Sequence, residues 1–161
     1  TGIDISAEAI RYCKRKAKQK DRHRFWVVDV CTQNMPQRFD FIYSVATLHM
    51  LLKDDDRKSY LAFILHHLVP GGYGLILTIG DGTEESQSNA ETAFENVKRR
   101  HGETGLVMEI AATSCRKVSF QTFENELSDA GFGMVDSGLT HIGLDFPTIM
   151  YAVISKPSPF L

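Results

Sequence analysis

Hydrophobic and polar positions along this chain fall into blocks with either a strand period or a helix period, and the block from residue 39 to 82 is the clearest. An apolar run that ends at Val45 indicates a strand buried on both faces. Apolar residues three and four positions apart between residues 57 and 68 predict a helix, which residues 70–72 (PGG) end. Residues 73–79 indicate a second buried strand. A strand, a crossover helix and a strand in this order predict a parallel pair.

Two strands and a helix are predicted before this central unit. Apolar residues on either side of Asp4 indicate the last part of a strand, and Ser6 is placed to cap the helix that follows. Residues 25–30, FWVVDV, indicate the next strand, with Asp29 near its carboxyl end. Each of these strands therefore brings a carboxylate to its carboxyl end.

Ligands of mostly parallel sheets bind beyond the carboxyl ends of the strands. In the central unit those ends are residues 44–49 and 80–82. The pattern over residues 81–119 is weaker and more polar, with a helix expected from 90 to 100. We expect this segment to be an insertion over the binding edge.

The last part of the chain predicts one helix and two strands. Ser119 is placed to cap the helix, and Gly131 is placed to end it in a Schellman motif. Residues 134–142 and 148–155 indicate two strands joined by a short connection, which requires them to be antiparallel.

Composition limits the kinds of protein this chain can be. With 161 residues, 43% of them hydrophobic, it suits a single domain over residues 1–161. A net charge of -2 gives no basic field for nucleic acid or anionic lipid, and no apolar run is long enough to cross a bilayer. Cys13, Cys31 and Cys115 lack CxxC spacing, so neither a disulfide framework nor a zinc site is expected, which favours the cytoplasm. The acidic run 54–56 is interpreted as a helix start rather than a metal site.

Several short motifs occur here in a specific order. They are GIDIS, an Asp at the end of the following strand, FDFIYSVATLH, LVPGG before a strand, DAGF and a closing hairpin. Together they resemble the class I S-adenosylmethionine-dependent methyltransferases, over nearly the entire chain. The resemblance implies an α/β, Rossmann-like, mostly parallel sheet flanked by helices, with an antiparallel final hairpin. It also implies S-adenosylmethionine as cofactor and methyl transfer to a small-molecule acceptor by direct displacement.

The resemblance assigns cofactor-binding roles to residues at two strand ends. Asp4 resembles the acidic residue that holds the two ribose hydroxyls, and Ile5 the residue that lies against adenine. Asp29 resembles the acceptor for the adenine amino group, with Val30 supplying a backbone amide and apolar packing. A carboxylate can accept two hydrogen bonds from a vicinal diol. The alternatives from local structure are a helix-cap partner for Asp4 and a turn-forming side chain for Asp29.

Val45 and Ala46 lie in the loop that borders cofactor and substrate in the family. His49, in the same loop, is the candidate general base, and packing in a helical turn is its alternative role.

Other residues are expected on the substrate side of the binding edge. Asp81 follows the second strand of the central unit, where it would contact substrate or cap the next segment. Arg116, His101, His141 and Asp145 belong to the segments expected to shape the substrate pocket.

The family's glycine-rich strand, loop and helix should precede GIDIS and are not in this sequence. In the family's strand order that first strand lies between the strand ending at Asp4 and the one ending at Ser44, so its loss leaves two unpaired edges. We therefore expect the native protein to carry an additional amino-terminal segment of roughly 30 residues or more. Residues 1–161 alone are expected to fold poorly and to bind cofactor weakly.

Two other functions compete with methyl transfer. An NAD(P)-dependent oxidoreductase would use Asp4 equally well on a dinucleotide ribose, although Asp29 and the LVPGG strand start argue against it. A non-catalytic Rossmann-like binding module is the second alternative.

Residues 44–47 (SVAT) lack the Asn/Asp-Pro-Pro-aromatic motif of amino-methylating DNA enzymes, which disfavours a flipped-base substrate.

Overall fold

The structure, a computed structural model, describes residues 1–18, 22–93, 95–100, 104–111, 113–141 and 147–158. Packing divides the chain into two compact units, residues 1–37 and residues 38–161. No helix in the described part of the chain combines the length and the apolar character that a membrane span requires.

The first unit is a strand, helix and strand whose two strands are parallel. Strand β1 is Gly2–Asp4, helix α1 is Ala7–Lys16 and strand β2 is Phe25–Val27. The predicted cap of α1 is confirmed, because the backbone N–H of Ala9 donates to Oγ of Ser6 at 3.2 Å. Strand β2 is shorter than predicted, since the chain turns at Asp29, whose carbonyl accepts hydrogen bonds from the backbone N–H groups of residues 32 and 33.

The second unit contains a four-stranded sheet with the order β3-β4-β10-β9. Its strands are β3 (Phe39–Val45), β4 (Leu68–Ile79), β9 (Gly133–Thr140) and β10 (Ile149–Ser155). Strand β4 is parallel to β3 and antiparallel to β10, which is in turn antiparallel to β9. The predicted parallel pair and the antiparallel closing hairpin are both confirmed.

Helices α2 (Asp54–His67) and α3 (Phe120–Asp129) contact this sheet, α2 at β4 and α3 at β9 and β10. Each large apolar side chain that is fully buried contributes about 1.5–3 kcal/mol to the stability of the fold. The large apolar side chains that are less than 2% exposed in this unit are Leu68, Ile76, Phe123, Leu127, Ile149, Met150 and Ile154.

Both predicted ends of α3 are confirmed. Oγ of Ser119 accepts from the backbone N–H of Thr122 at 3.2 Å. At the other end, the N–H groups of Gly131 and Phe132 donate to the carbonyls of residues 128 and 127, which is the Schellman pattern. Gly131 has φ 94°, a conformation that favours glycine.

The prediction that strand β3 is buried on both faces is wrong. The side that carries Ser44 meets Tyr60 of α2, whose hydroxyl donates to Oγ of Ser44 at 2.5 Å. The opposite side carries Phe41, Tyr43 and Val45, which are 54%, 69% and 46% exposed. An apolar run therefore identified the strand but overstated its coverage.

The helix predicted from 90 to 100 is wrong. Strand β6 (Asn96–Arg100) pairs there with β7 (Val107–Ala111) in an antiparallel hairpin. The segment has too few apolar residues to bury a helical face, whereas cross-strand pairing satisfies its backbone and places Lys98 opposite Glu109. A second short pair, β5 (Ser86–Gln87) and β8 (Arg116–Lys117), also lies within residues 81–119.

Helix α2 begins three residues earlier than expected. Asp54, Asp55 and Asp56 form its first turn, with Lys53 as the N-cap residue. Carboxylates at this position interact favourably with the helix dipole. No group of three or more His, Cys, Asp or Glu side chains with metal-binding geometry occurs among the described residues.

Candidate functional site

Asp4 and Asp29 lie at the same edge of the first unit. Strands β1 and β2 are parallel, with Asp4 in register with Val27, so both strands end at one edge. Asp29 follows two residues after Val27, and the backbone N–H of Val28 donates to the Asp4 carbonyl at 3.0 Å. The parallel pairing thus brings the two predicted carboxylates to one edge of the unit.

Asp4 takes part in the turn that leads into α1. Its Oδ1 accepts from the backbone N–H of Ser6 at 2.7 Å. Its Oδ2 makes no hydrogen bond with any residue that the structure describes, and the side chain is exposed. The carboxylate therefore keeps acceptor capacity for a diol, and Ile5, 70% exposed, offers an apolar surface beside it.

Asp29 organises the turn after β2. Its Oδ1 accepts from the backbone N–H of Cys31 at 2.9 Å, and its Oδ2 accepts from the Thr32 hydroxyl at 2.8 Å. Gln33 accepts from the Asp29 backbone N–H through its side-chain oxygen at 2.8 Å. Each carboxylate oxygen can accept a second hydrogen bond, so the turn role does not exhaust the side chain. Val30 is half-buried in the same turn.

In the second unit the chain turns sharply at the end of β3. Ala46 has φ 58°, and its backbone N–H donates to the Leu77 carbonyl of β4 at 2.9 Å. A left-handed conformation costs an L-residue about 1–2 kcal/mol, and such strain concentrates at functional sites. Ala46 is the one non-glycine residue with positive φ in the described ranges. The strain falls in the loop that the sequence associates with cofactor and substrate.

His49 lies three residues further, in the 3-10 helix Leu48–Met50. Its side chain is 8% exposed, and its Nδ1 is buried without a hydrogen-bond partner, alone in this respect among the described residues. Burial lowers the pKa of the imidazole below its ordinary value of 6.5. His49 is therefore neutral at pH 7, and its Nδ1 makes no hydrogen bond with a described residue.

The segment after β4 is held by carboxylates. Oδ1 of Asp81 accepts from the backbone N–H groups of Thr83 and Glu84, at 2.8 and 2.9 Å. These hydrogen bonds lower the pKa of Asp81 to about 2. Glu85 accepts from the hydroxyls of Ser119 and Thr122, both at 2.7 Å. Asp81 thus has the capping role that was one of its two predicted alternatives, and Glu85 ties this loop to the start of α3.

Arg116 is engaged within the protein rather than at a free substrate surface. Its guanidinium donates to both carboxylate oxygens of Glu126 on α3, at 3.1 and 2.7 Å. Nε of Arg57 lies 3.4 Å from the same carboxylate, and Arg57 also donates to the carbonyls of residues 51 and 52. This network supports the loop that carries His49.

No pattern in the sequence predicts the hydrogen-bond and ion-pair partners of these residues. Glu126 and Arg57 occupy ordinary helical positions. Ser114, whose hydroxyl donates to the Met50 carbonyl at 2.8 Å, lies 64 positions from Met50 along the chain. His141 is exposed, and His101 and Asp145 lie outside the described residues.

Residues 1–72 match the sequence model of a family described as a methyltransferase domain. No curated protein matches the chain.

Solved structures match over almost the whole chain. A S-adenosylmethionine-dependent methyltransferase from Clostridium acetobutylicum superposes with a TM-score of 0.70 at 16% identity, over 97% of this chain and 74% of its own. The 1,6-didemethyltoxoflavin-N1-methyltransferase of Burkholderia thailandensis superposes with a TM-score of 0.67 at 19% identity, over 97% of this chain and 60% of its own. The glycopeptide N-methyltransferase MtfA superposes with a TM-score of 0.70 at 16% identity, over 97% of this chain and 71% of its own. The fold is therefore the methyltransferase fold, and the chain spans 60% to 74% of these proteins.

Proposed function

This chain has the fold of the class I S-adenosylmethionine-dependent methyltransferases and a methyltransferase-domain sequence over residues 1–72, and on that premise we propose that it methylates a small-molecule acceptor with S-adenosylmethionine as cofactor. The observation that carries the proposal is the placement of Asp4 and Asp29 at one edge of the β1–β2 pair. An acidic acceptor at each of two neighbouring strand ends suits a nucleoside, which offers a ribose diol and an exocyclic amine as donors.

Asp4, Ile5, Asp29 and Val30 are the proposed nucleoside contacts. Oδ2 of Asp4 makes no hydrogen bond with the described residues, which suits a ribose hydroxyl, and the exposed Ile5 side chain suits an adenine face. Bound S-adenosylmethionine supplies an electrophilic methyl group on a sulfonium. Val45 and Ala46 are proposed to border this group and the acceptor.

A direct displacement asks the protein mainly to align the acceptor with the methyl group. A hydroxyl or amine acceptor must also lose a proton, and we propose that the neutral imidazole of His49 accepts it. The imidazole is neutral at pH 7 because burial lowers its pKa, and Nδ1 makes no hydrogen bond with a described residue. Packing of His49 in its 3-10 turn is the competing role, and the pH profile in the Discussion separates the two.

The acceptor class is proposed from two lines of support. The mild net charge of -2 gives no field for nucleic acid. Among the similar structures, one holds 1,6-didemethyltoxoflavin, a small molecule, together with S-adenosylhomocysteine, and another is named a glycopeptide N-methyltransferase. We propose that Asp81 and Arg116 lie on the acceptor side, where their hydrogen bonds to residues 83 and 126 support the segments that border the acceptor.

Calorimetric titration of the full-length protein tests the proposal. We expect S-adenosylhomocysteine to bind and NADPH not to bind. Asp4→Asn and Asp29→Asn should each weaken the binding of S-adenosylhomocysteine about 10- to 100-fold, because each removes a charge-assisted hydrogen bond. Asp40→Asn, an exposed carboxylate in β3, is the matched control and should bind as the unmodified protein does.

Each alternative predicts a different result. Tight NADPH binding would favour an oxidoreductase, and cofactor binding without methyl transfer to any member of a metabolite library would favour a binding module. Undiminished binding in both aspartate variants would refute the nucleoside site.

A further inference from the structure

A pocket of about 360 Å³ in the first unit lies away from the Asp4 and Asp29 edge. It is formed by the end of α1 and the start of β2. Its walls are Lys14, Ala17, His23, Arg24, Phe25 and Trp26. Phe25 opens β2, whereas Asp29 follows the strand's carboxyl end, and four residues of extended chain span roughly 13 Å. The proposed methyltransferase chemistry therefore leaves this pocket without a role.

Two cations line the pocket, the Lys14 ammonium and the Arg24 guanidinium. Neither the Lys14 nor the Arg24 side chain makes an ion pair or hydrogen bond with any residue in the described ranges. By contrast, Arg11 and Arg15 on the same helix both pair with Glu8. The carboxyl end of α1 contributes roughly half a negative charge, which two full positive charges exceed. Among the described residues, the positive charges of Lys14 and Arg24 at the pocket thus have no carboxylate partner.

Trp26 and Phe25 both line the pocket, and as neighbours in β2 they present their side chains to opposite sides of the strand. Trp26 is 48% exposed, and the ring of Phe25 stacks with that of His23 at a centroid distance of 6.1 Å and an angle of 23°. The position of the Phe25 ring depends on Gly2 in the paired strand, because a Cβ there would lie 2.8 Å from Cδ1 of Phe25. Aromatic faces attract planar rings, and a pocket of this volume lies within the range of small-ligand sites.

We propose that this pocket binds a small planar aromatic anion, with the ring against Trp26 and the anionic group between Lys14 and Arg24. Burying an aromatic ring and pairing an anion with two cations are the two favourable interactions that this set of side chains offers together. The pocket lies at the opposite end of β2 from the Asp4 and Asp29 edge, so its ligand is not the cofactor.

Trp26 is the single tryptophan of the chain, so its indole N–H gives a direct readout. In a 15N-labelled full-length protein we expect 2-naphthoate, at up to millimolar concentration, to shift the indole cross-peak of Trp26, which is identified by its loss in Trp26→Ala. The neutral 2-naphthalenemethanol should bind more weakly, since it lacks the charge. Saturating S-adenosylhomocysteine should not displace 2-naphthoate, because the two sites are distinct.

Substitutions at the exposed cations separate charge recognition from folding. Lys14→Gln and Arg24→Gln should each weaken 2-naphthoate about two- to five-fold, which is the usual effect of one exposed ion pair. Lys18→Gln, an exposed lysine outside the pocket, is the matched control and should have no effect. Trp26→Ala, followed by saturation-transfer NMR of the ligand, should weaken binding roughly ten-fold.

Four results would overturn the proposal. The first three are a Trp26 indole cross-peak that does not move with 2-naphthoate, equal binding of the neutral analogue, and a loss of affinity in Lys18→Gln as large as that in Lys14→Gln. Displacement of 2-naphthoate by S-adenosylhomocysteine would place the ligand in the cofactor site instead. None of these results depends on methyl-transfer activity, so the two proposals fail independently.

Discussion

Glu126 is the position in the second unit where a single substitution should reveal how the candidate site is supported. Its carboxylate lies between two guanidiniums, those of Arg116 and Arg57, whose side chains are only 13% and 8% exposed. Glu126 is on α3, Arg57 on α2 and Arg116 on β8. One carboxylate therefore links three elements, and Arg57 extends the link to the carbonyls of residues 51 and 52, next to His49.

Glu126→Gln keeps the shape of the side chain and removes its charge. Removing one partner of a buried ion pair costs about 3–5 kcal/mol, because the remaining charge stays buried without compensation. The Glu126 side chain is 22% exposed, and Arg57 retains Asp54 and two carbonyls, which reduces the penalty. We expect a loss of about 2–4 kcal/mol in the free energy of unfolding. For a chain of this length that corresponds to a fall in Tm of roughly 5–15 °C.

Thermal unfolding followed by circular dichroism, together with urea titration, measures this loss. Asp129→Asn is the matched control, because Asp129 is an exposed carboxylate on the same helix, and it should stay within about 0.5 kcal/mol of the unmodified protein. If Glu126→Gln and Asp129→Asn unfold at the same temperature, the ion-pair network does not support this unit and the reasoning is wrong.

Three further predictions concern the binding edge. Ala46→Gly should raise stability by roughly 0.5 kcal/mol, since relief of the left-handed strain exceeds the added flexibility of the unfolded chain, and Tm measures it. At pH values below 6.5, kcat/KM should decrease because His49 becomes protonated. This decrease at acid pH, the acid limb of the pH profile, should be absent in His49→Gln. The folded state gains stability from Asp81 above its ordinary pKa of 3.8 and loses it as pH falls towards about 2. In Asp81→Asn, the free energy of unfolding measured by urea titration should therefore depend less on pH between these values.

Each of these predictions has a control or a contrary outcome. Ala130→Gly, at a residue with φ -74°, should destabilise where Ala46→Gly stabilises, and the same sign for both would exclude strain as the cause. An acid limb that persists in His49→Gln would assign it to another group and leave His49 a packing role. An Asp81→Asn variant that loses stability equally at pH 3 and pH 7 would show that the carboxylate's charge is not what stabilises the turn.

Local signals were enough for much of this fold. The caps at Ser6 and Ser119 and the Schellman end at Gly131 were predicted correctly, because a cap involves hydrogen bonds between residues only a few positions apart. The strand-helix-strand unit and the closing hairpin followed from hydrophobic period and connection length. The shared edge of Asp4 and Asp29 followed from parallel pairing of the strands that carry them.

What the sequence alone determined is therefore which segments form strands and helices, and at which strand ends the carboxylates lie. The tertiary structure decided what depends on distant partners: that residues 96–100 pair in a hairpin, that Glu126 holds Arg116, and that Nδ1 of His49 is buried without a partner. The reason is physical. Hydrophobic period and capping act between near neighbours, whereas burial, ion pairing and edge pairing depend on side chains that only the folded chain brings together.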